Sequence, residues 1–448
     1  MAKIRYAALG ARGIGEVASA PPMCIVLAVL NGTDVLHRTY IGCPAHRNPM
    51  IKPLPALRLL VARACALALA AALTTMPVRA DDRADDRTPL GEVAQGLDIA
   101  LGKYREIERM GGWPQIAEGA HLRPGMRDPR VAELKRRLAI SGDYGADVGD
   151  DQAQAGGTDL YDQALSAAVQ RFQARHGLAT TGWIDAETAE ELSVPVQWRI
   201  AQLARNLARA RRVPRELGLR YIHINIADAH LKVVESGRTL HTARVVLGEI
   251  AHATPELSSV ITHIELNPWW NAPASIVRRI LVPKFKSEPK YIAENDYLLL
   301  TRAGDNKSAV DPGAIDWDRI TAANFRWSVR QKPGAKNVLG RVVFWFPSKY
   351  NVFIHDTAAP ELFEDDVRYF SSGCIRVDSA VYMAMLLLRD QDDGSWTEER
   401  INGIISTNEP YKITFARPVN VHISYFTAWT DTKGRVQFRK DIYKRDRL

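Results

Sequence analysis

The spacing of apolar residues changes once along this chain, and the change divides it. Between about residues 97 and 207 they recur at helical intervals: Leu97, Ala100, Leu101 and Tyr104, then Val131, Leu134 and Leu138, then Leu165, Val169 and Phe172, then Ile200, Leu203 and Leu207. From residue 222 the period is two, with Ile222, Ile224 and Ile226 alternating with His223, Asn225 and Ala227. A period near 3.6 stripes one face of a helix and a period of two stripes one face of a strand. Helical layers therefore precede a mainly-β domain, an antiparallel sandwich or barrel, with a turn at Gly237 and a Thr-Lys-Gly hairpin turn at 432–434.

The N-terminal stretch has its own logic. Residues 50–80 carry Lys52, Arg58 and Arg63 before an apolar run from Ala64 to Met76, then small residues Val78 and Ala80 ahead of Asp81. This is the pattern of a signal peptide, too short for a comfortable membrane span, with a retained anchor as the alternative. Residues 1–49 are then expected to be a non-native extension, with Met50 as the start. Cys24, Cys43 and Cys65 all fall in or before the signal, which leaves Cys374 alone in the mature protein. A lone thiol in an oxidising compartment is either buried and inert or kept for its reactivity.

Composition excludes some classes. With 448 residues, 46% hydrophobic and 25% charged, the chain has ordinary globular composition for two or three domains. Its net charge of +8 is scattered, with no basic stripe of the kind nucleic acid needs. The excess reads either as mild attraction to an anionic polymer or surface, or as a solvated surface with no partner. No His cluster has metal-ligand spacing, so neither a metal nor a cofactor is expected.

The chemistry-bearing stretch is FIHDTAAPELFEDDVRYFSSGCIRV, residues 353–377. His355 ends a short apolar run, and Cys374 lies in a Ser-Ser-Gly-Cys turn 19 positions later. A strand end and a Gly turn can bring a thiol and an imidazole together as nucleophile and base. The bland alternative is a buried structural Cys and a satisfied core His. Backbone amides of Gly373 and Cys374 are natural oxyanion donors in such a turn. Arg376 would either contact a substrate carboxylate or brace the turn, and Asp356 would hold the His strand. Ser371 and Ser372 complete the expected substrate-binding set, with Trp270, Asn271 and Tyr350 as weaker candidates for cleft walls, an aromatic there being more often core. Asp378 is placed to cap the following helix and Asp185 to cap one ending near Leu192.

Two resemblances carry the argument further. The segments VAELKRRLAISGDY, AVQRFQARHGL and GWIDAETAEEL resemble the family-one peptidoglycan-binding domain. RYIHINIADAHLKVVESG, LNPWWNAP, PGAKNVLGRVVFWFPSKYNVFIHDT, SSGCIRV and FRKDIY resemble the L,D-transpeptidase catalytic domain, the YkuD fold. The commoner signature has Ser-His-Gly-Cys, and Ser372 here is similar to the YcbB-like branch, in which a capping subdomain is inserted. The resemblance implies a multidomain protein: a polar lead and helical scaffold at 81–121, a small three-helix peptidoglycan-binding domain at 122–195 and a linker helix at 196–219. A YkuD-type sandwich catalytic domain at 220–448 follows, with a helical capping insertion at about 276–331. It implies a periplasmic, monomeric enzyme acting on peptidoglycan stem peptides, with weak membrane association only if the signal is uncleaved. Cys374 would attack as a thiolate paired with His355, cut a tetrapeptide stem before its D-Ala, and pass the acyl group to a diaminopimelate amine, giving a 3-3 cross-link. Water or the Lys amine of a lipoprotein are the alternative acceptors. A non-catalytic wall-binding protein is the competing reading from another class, and a papain-like protease is disfavoured by the order His then Cys.

Overall fold

The computed structural model describes residues 90–446, except 118, 120, 146–158, 302–307 and 392–393. The expected extension, signal peptide and polar lead, and most of the Gly-rich insert after Gly145, lie outside the described residues.

Helix α1 (Val93–Arg109) buries Leu97, Ala100, Leu101 and Tyr104, and stops where Gly111 and Gly112 take positive φ. Three helices, α2 (Arg130–Ile140), α3 (Gln163–Arg175) and α4 (Ala186–Ser193), share a separate core of Leu122, Val131, Leu134, Leu138, Leu165, Phe172 and Leu192. Their starts follow the sequence. Asp162 accepts from the Leu165 amide at 2.7 Å, and Asp185 from that of Thr188 at 2.8 Å, each quenching an orphan amide of the first turn.

Helix α5 (Val196–Ala210) packs with α1. Two of its arginines turn inward: Arg199 pairs with Glu191, and Arg209 reaches Asp446 at 2.5 Å. Partly buried carboxylates hold these guanidinium groups in place, and the helix packs as part of the scaffold.

Eight strands of the C-terminal half close into a ring: β1 (Arg220–Asn225), β2 (His230–Glu235), β3 (Arg238–Gly248), β4 (Leu257–Leu266), β9 (Val342–Trp345), β10 (Ile354–His355), β12 (Ile375–Val377) and β13 (Tyr411–Ser424). The pairing order is β3-β12-β10-β9-β4-β13-β1-β2, and β2 pairs back onto β3, with β11 (Tyr369–Ser371) added beside β3. The sheet is mixed, not purely antiparallel, because β1–β13, β10–β12 and β11–β3 run parallel. A parallel pair needs a long crossover, which residues 356–374 supply between β10 and β12. The ring encloses Ile222, Ile224, Val245, Ile264, Phe344, Ile354 and Ile375, packed with the helix Ala380–Leu388.

The insertion is more than helical. Strands β5 (Trp270–Asn271), β6 (Tyr297–Leu300), β7 (Ala309–Val310) and β8 (Ser328–Gln331) form their own antiparallel sheet, ordered β5-β8-β6-β7. It therefore begins by Trp270, ahead of the expected residue 276. Helical segments Ala274–Ile276, Val277–Leu281 and Val282–Ser287 precede Tyr291–Glu294. Tyr297 and Leu299 alternate inward against Phe285, so the apolar run after Asp296 is a strand and not the continuation of a helix. The last hairpin, β14 (Ala428–Thr430) and β15 (Val436–Phe438), returns to the scaffold and packs Trp429 and Phe438 with α1 and α5.

Candidate active site

The parallel pairing of β10 and β12 sets Ile354 opposite Ile375 and His355 opposite Arg376. Side chains alternate along a strand, so when Ile354 and Ile375 point into the core, His355 and Arg376 share the other face, and Cys374 lies on Arg376's side of its strand. The Ile375 amide donates to the Phe353 carbonyl at 3.0 Å and fixes where the Cys374 turn leaves the sheet.

His355 is buried, and its Nδ1 is 2.5 Å from the carbonyl oxygen of Asp356. A carbonyl only accepts, so in the neutral ring the proton sits on Nδ1 and Nε2 carries the basic lone pair. The group that orients the imidazole is therefore its neighbour's backbone and not Ser371 or Ser372. Asp356 holds that backbone: its Oδ2 accepts from the Arg341 amide at 2.8 Å and from Arg341 Nε at 3.0 Å.

The turn before Cys374 is internally satisfied. Ser371 Oγ accepts from the Gly373 amide at 3.0 Å and donates to the Cys374 carbonyl at 2.6 Å. Two expectations change as a result. Ser371 is buried with its hydroxyl committed to the turn, so it is not a substrate contact, and the Gly373 amide is spent, so it is not an oxyanion donor. The role of Gly373 is conformational: its φ of 115° is one that a side chain rarely adopts.

Burial raises the Cys374 thiol above its ordinary range, although the Phe353 backbone and Arg376 pull the other way. Burial first, and then the Arg376 charge, hold the imidazole of His355 down at about 4, against the backbone bonds to Asp356 and Leu339. The environment thus favours neutral thiol and neutral imidazole. Neither shift favours the thiolate–imidazolium pair expected from the residue types. The thiol points toward the Asn351 carbonyl, 4.0 Å away, and Asn351 itself has a φ of 52°.

Arg376 is depressed by burial, with Cys374 and Glu361 as its electrostatic neighbours. Among the described residues no hydrogen bond or ion pair engages its guanidinium. Tyr350 is 49% exposed in the loop beside Asn351. Trp270 is corrected from cleft wall to core: it is buried within the insertion, edge-on to Tyr297 at 6.2 Å. Asn271 follows it, exposed, on the edge strand β5. Asp378 does not cap the next helix, whose N-cap is Ser379, because its carboxylate binds Arg244 at 2.7 Å.

Several positioning residues came from distant parts of the chain. Thr254 Oγ1 donates to the Gly373 carbonyl at 3.0 Å while accepting from the Gly248 amide at 2.9 Å. Tyr443, near the chain's end, donates to the Gly248 carbonyl at 2.6 Å and accepts from the Thr254 amide at 3.2 Å. Arg279, in the insertion, donates from Nη2 to Ser372 Oγ at 2.6 Å. Of these, Tyr443 alone lies in a motif that the sequence singles out, FRKDIY.

A family model described as the L,D-transpeptidase catalytic domain, YkuD, matches residues 219–391. One described as "Putative peptidoglycan binding domain", PG_binding_1, matches residues 127–192. A curated relative from Haemophilus influenzae, described as "Putative L,D-transpeptidase", is 34% identical over 226 residues, which is 50% of this chain and 44% of the relative. The chain thus spans less than half of that relative's length. Solved structures of L,D-transpeptidases from Xylanimonas cellulosilytica (14% identity, 68% of this chain and 98% of that one, TM-score 0.21) and Mycobacterium smegmatis (9%, 46% and 58%, 0.23) also match. These overlaps are too slight to add to the assignment, which rests on the two family models and the Haemophilus relative. Residues 219–391 thus match the L,D-transpeptidase catalytic domain, YkuD, and residues 127–192 of the same chain match PG_binding_1.

Proposed function

We propose that this protein is an exported cell-wall L,D-transpeptidase that forms 3-3 cross-links through a thioester on Cys374. The observation that carries the reading is the β10–β12 register, which sets a basic imidazole nitrogen and a thiol on the same side of the sheet. The order of parts, wall-binding unit then catalytic domain with an insertion, fits the YcbB-like branch.

In the first half-reaction the Cys374 sulfur attacks the carbonyl carbon of the third stem residue as its proton passes to His355 Nε2. The Cys374 amide is the backbone donor left for the oxyanion, an interaction worth ~3 kcal/mol in comparable sites. Collapse of the tetrahedral species breaks the peptide bond, and the departing D-Ala nitrogen takes the proton from His355. In the second half the side-chain amine of another stem attacks the thioester, gives up its proton through His355, and returns Cys374 to the thiol. Arg376, half-buried and with no hydrogen-bond or ion-pair partner among the described residues, suits the carboxylate of the donor's terminal D-Ala, which lies one residue past the scissile carbonyl. The PG_binding_1 unit would keep the catalytic domain on the polymer, outside the cytoplasm.

The deciding measurement is intact mass after incubation with a carbapenem. A single covalent adduct is expected on the wild type and none on Cys374→Ala; an unmodified wild type would sink the thiol mechanism. Wall fragments digested after incubation with a tetrapeptide donor then separate cross-linking from hydrolysis or transfer to a lipoprotein Lys.

A further inference from the structure

Ser372 is the one member of the Ser-Ser-Gly-Cys turn that neither the turn nor the proposed chemistry accounts for. It is exposed, two residues before the nucleophile, and its hydroxyl accepts from Arg279 Nη2 at 2.6 Å. Arg279 belongs to the insertion, 93 positions earlier in the chain. The other arm of the same guanidinium, Nη1, lies 2.9 Å from Glu249 Oε1 and 2.7 Å from His252 Nδ1, and those two side chains are themselves 2.7 Å apart. One planar fork therefore spans two loops.

Both loops support Cys374. Glu249 follows directly on β3, and its amide donates to the Ser371 carbonyl at 3.0 Å. His252 begins the stretch that leads to Thr254, whose hydroxyl holds the Gly373 carbonyl. A side chain at Gly248 would lie 2.1 Å from the His252 carbonyl and 3.1 Å from Gly373 Cα, so the loop and the turn are packed in backbone contact. The Glu249 carboxylate is held below its usual range by His252 and then by Arg279. It is therefore ionised as Arg279's counter-ion at neutral pH.

From this arrangement we propose that Arg279 is a positioning residue for acyl transfer, latching the insertion onto the catalytic turn by bridging Ser372 to Glu249. It touches no reacting atom. Its effect reaches Cys374 through the turn, and it requires two donor arms at fixed spacing, which an ammonium group lacks. The role rests on the acyl-transfer reading only for its consequence; the latch itself is a property of the turn. Exposure of the participants, 37% for Arg279 and 46% for Glu249, means that the latch adds little to global stability and can open without unfolding.

The test pairs kinetics with local exchange. Arg279→Ala and Ser372→Ala should each slow carbapenem acylation on the order of tenfold, with the double variant no slower than the worse single, since both remove one interaction. Arg279→Lys should behave as Ser372→Ala does, keeping the Glu249 pair and losing the bridge. Amide exchange over residues 371–375 should rise in all of these while melting temperatures stay level. Multiplicative losses in the double variant, full activity in Arg279→Lys, or unchanged exchange of the turn would overturn the latch. A wild type that takes no adduct would instead count against the acyl-transfer reading, and exchange of the turn would still decide the latch.

Discussion

Arg439 and Arg376 are both drawn into the protein, and their surroundings are opposite. Arg439 Nε binds Asp228 at 2.6 Å, and its Nη1 reaches the carbonyls of Arg175 and Phe438 at 3.2 and 2.7 Å. Arg175 beside it binds both oxygens of Asp143, at 2.6 and 2.5 Å. Room for this junction between the wall-binding unit and the catalytic domain depends on Gly177, where a Cβ would sit 2.6 Å from Arg439 Cδ. Arg376 has none of this. It lies half-buried beside His355, with Cys374 and Glu361 as electrostatic neighbours and no hydrogen-bond or ion-pair partner among the described residues. Buried charge that is paired in several directions holds domains together, and buried charge left open marks the place where something else is meant to bind.

Breaking the junction should have the largest effect. Asp143→Ala strands the buried Arg175 charge, and removing one partner of such a pair costs about 3–5 kcal/mol. Chemical denaturation should show this as a large fall in the stability of the region carrying α2–α4, with carbapenem acylation unchanged while the protein stays folded. A small loss would mean that solvent reaches the pair and that the junction is looser than its geometry suggests.

Arg376→Met should do the reverse. Stability is expected to hold or rise, because a half-buried guanidinium with no ion-pair partner among the described residues is exchanged for an apolar side chain of similar length. The KM for a tetrapeptide donor should increase by about tenfold, the worth of one charge-assisted pair, with no such increase for a donor whose terminal carboxylate is amidated. Equal losses for both donors, together with a lower melting temperature, would make Arg376 a brace of the turn.

What could be read beforehand divides along the same line. Local rules found the helices of the wall-binding unit, since Val131, Leu134, Leu138, Leu165, Val169 and Phe172 are all buried and Asp185 caps as its position suggests. They also found the His strand end and the Gly turn, because alternation and positive φ are written in a few adjacent residues. The contacts that position the turn were not legible. Thr254, Arg279 and Tyr443 approach it across 119, 93 and 195 positions of sequence, counting Tyr443 to Gly248, and nothing in their immediate neighbours marks the partner. Trp270 shows the converse: an aromatic in a conspicuous motif suits a cleft wall or a core, and only the packing of the insertion shows that it is core. Asp378 shows how a long-range cation overrides a cap, Arg244 being 134 positions away.

The finest difference between the two arginines is electrostatic, and it can be measured at His355. The ring is held at about 4 by burial and, after it, by Arg376, against an ordinary value of 6.5. A base works only when it is neutral, so acylation of the wild type should stay level as pH falls through 6 and decline only near 4. Arg376→Met removes the second cause and leaves the first, so the acid limb should move upward without reaching 6.5. Stability carries the same signature with a definite sign. Between pH 6.5 and 4 the unfolded chain binds a proton at this site that the folded protein refuses, so stability is full above 6.5 and falls as pH drops, by ~3 kcal/mol in all. His355→Gln should flatten that part of the pH–stability curve. An acid limb near 6.5 in the wild type, unmoved by Arg376→Met, would mean that water reaches the imidazole, and the contrast between a paired junction and an open catalytic face would lose its electrostatic half.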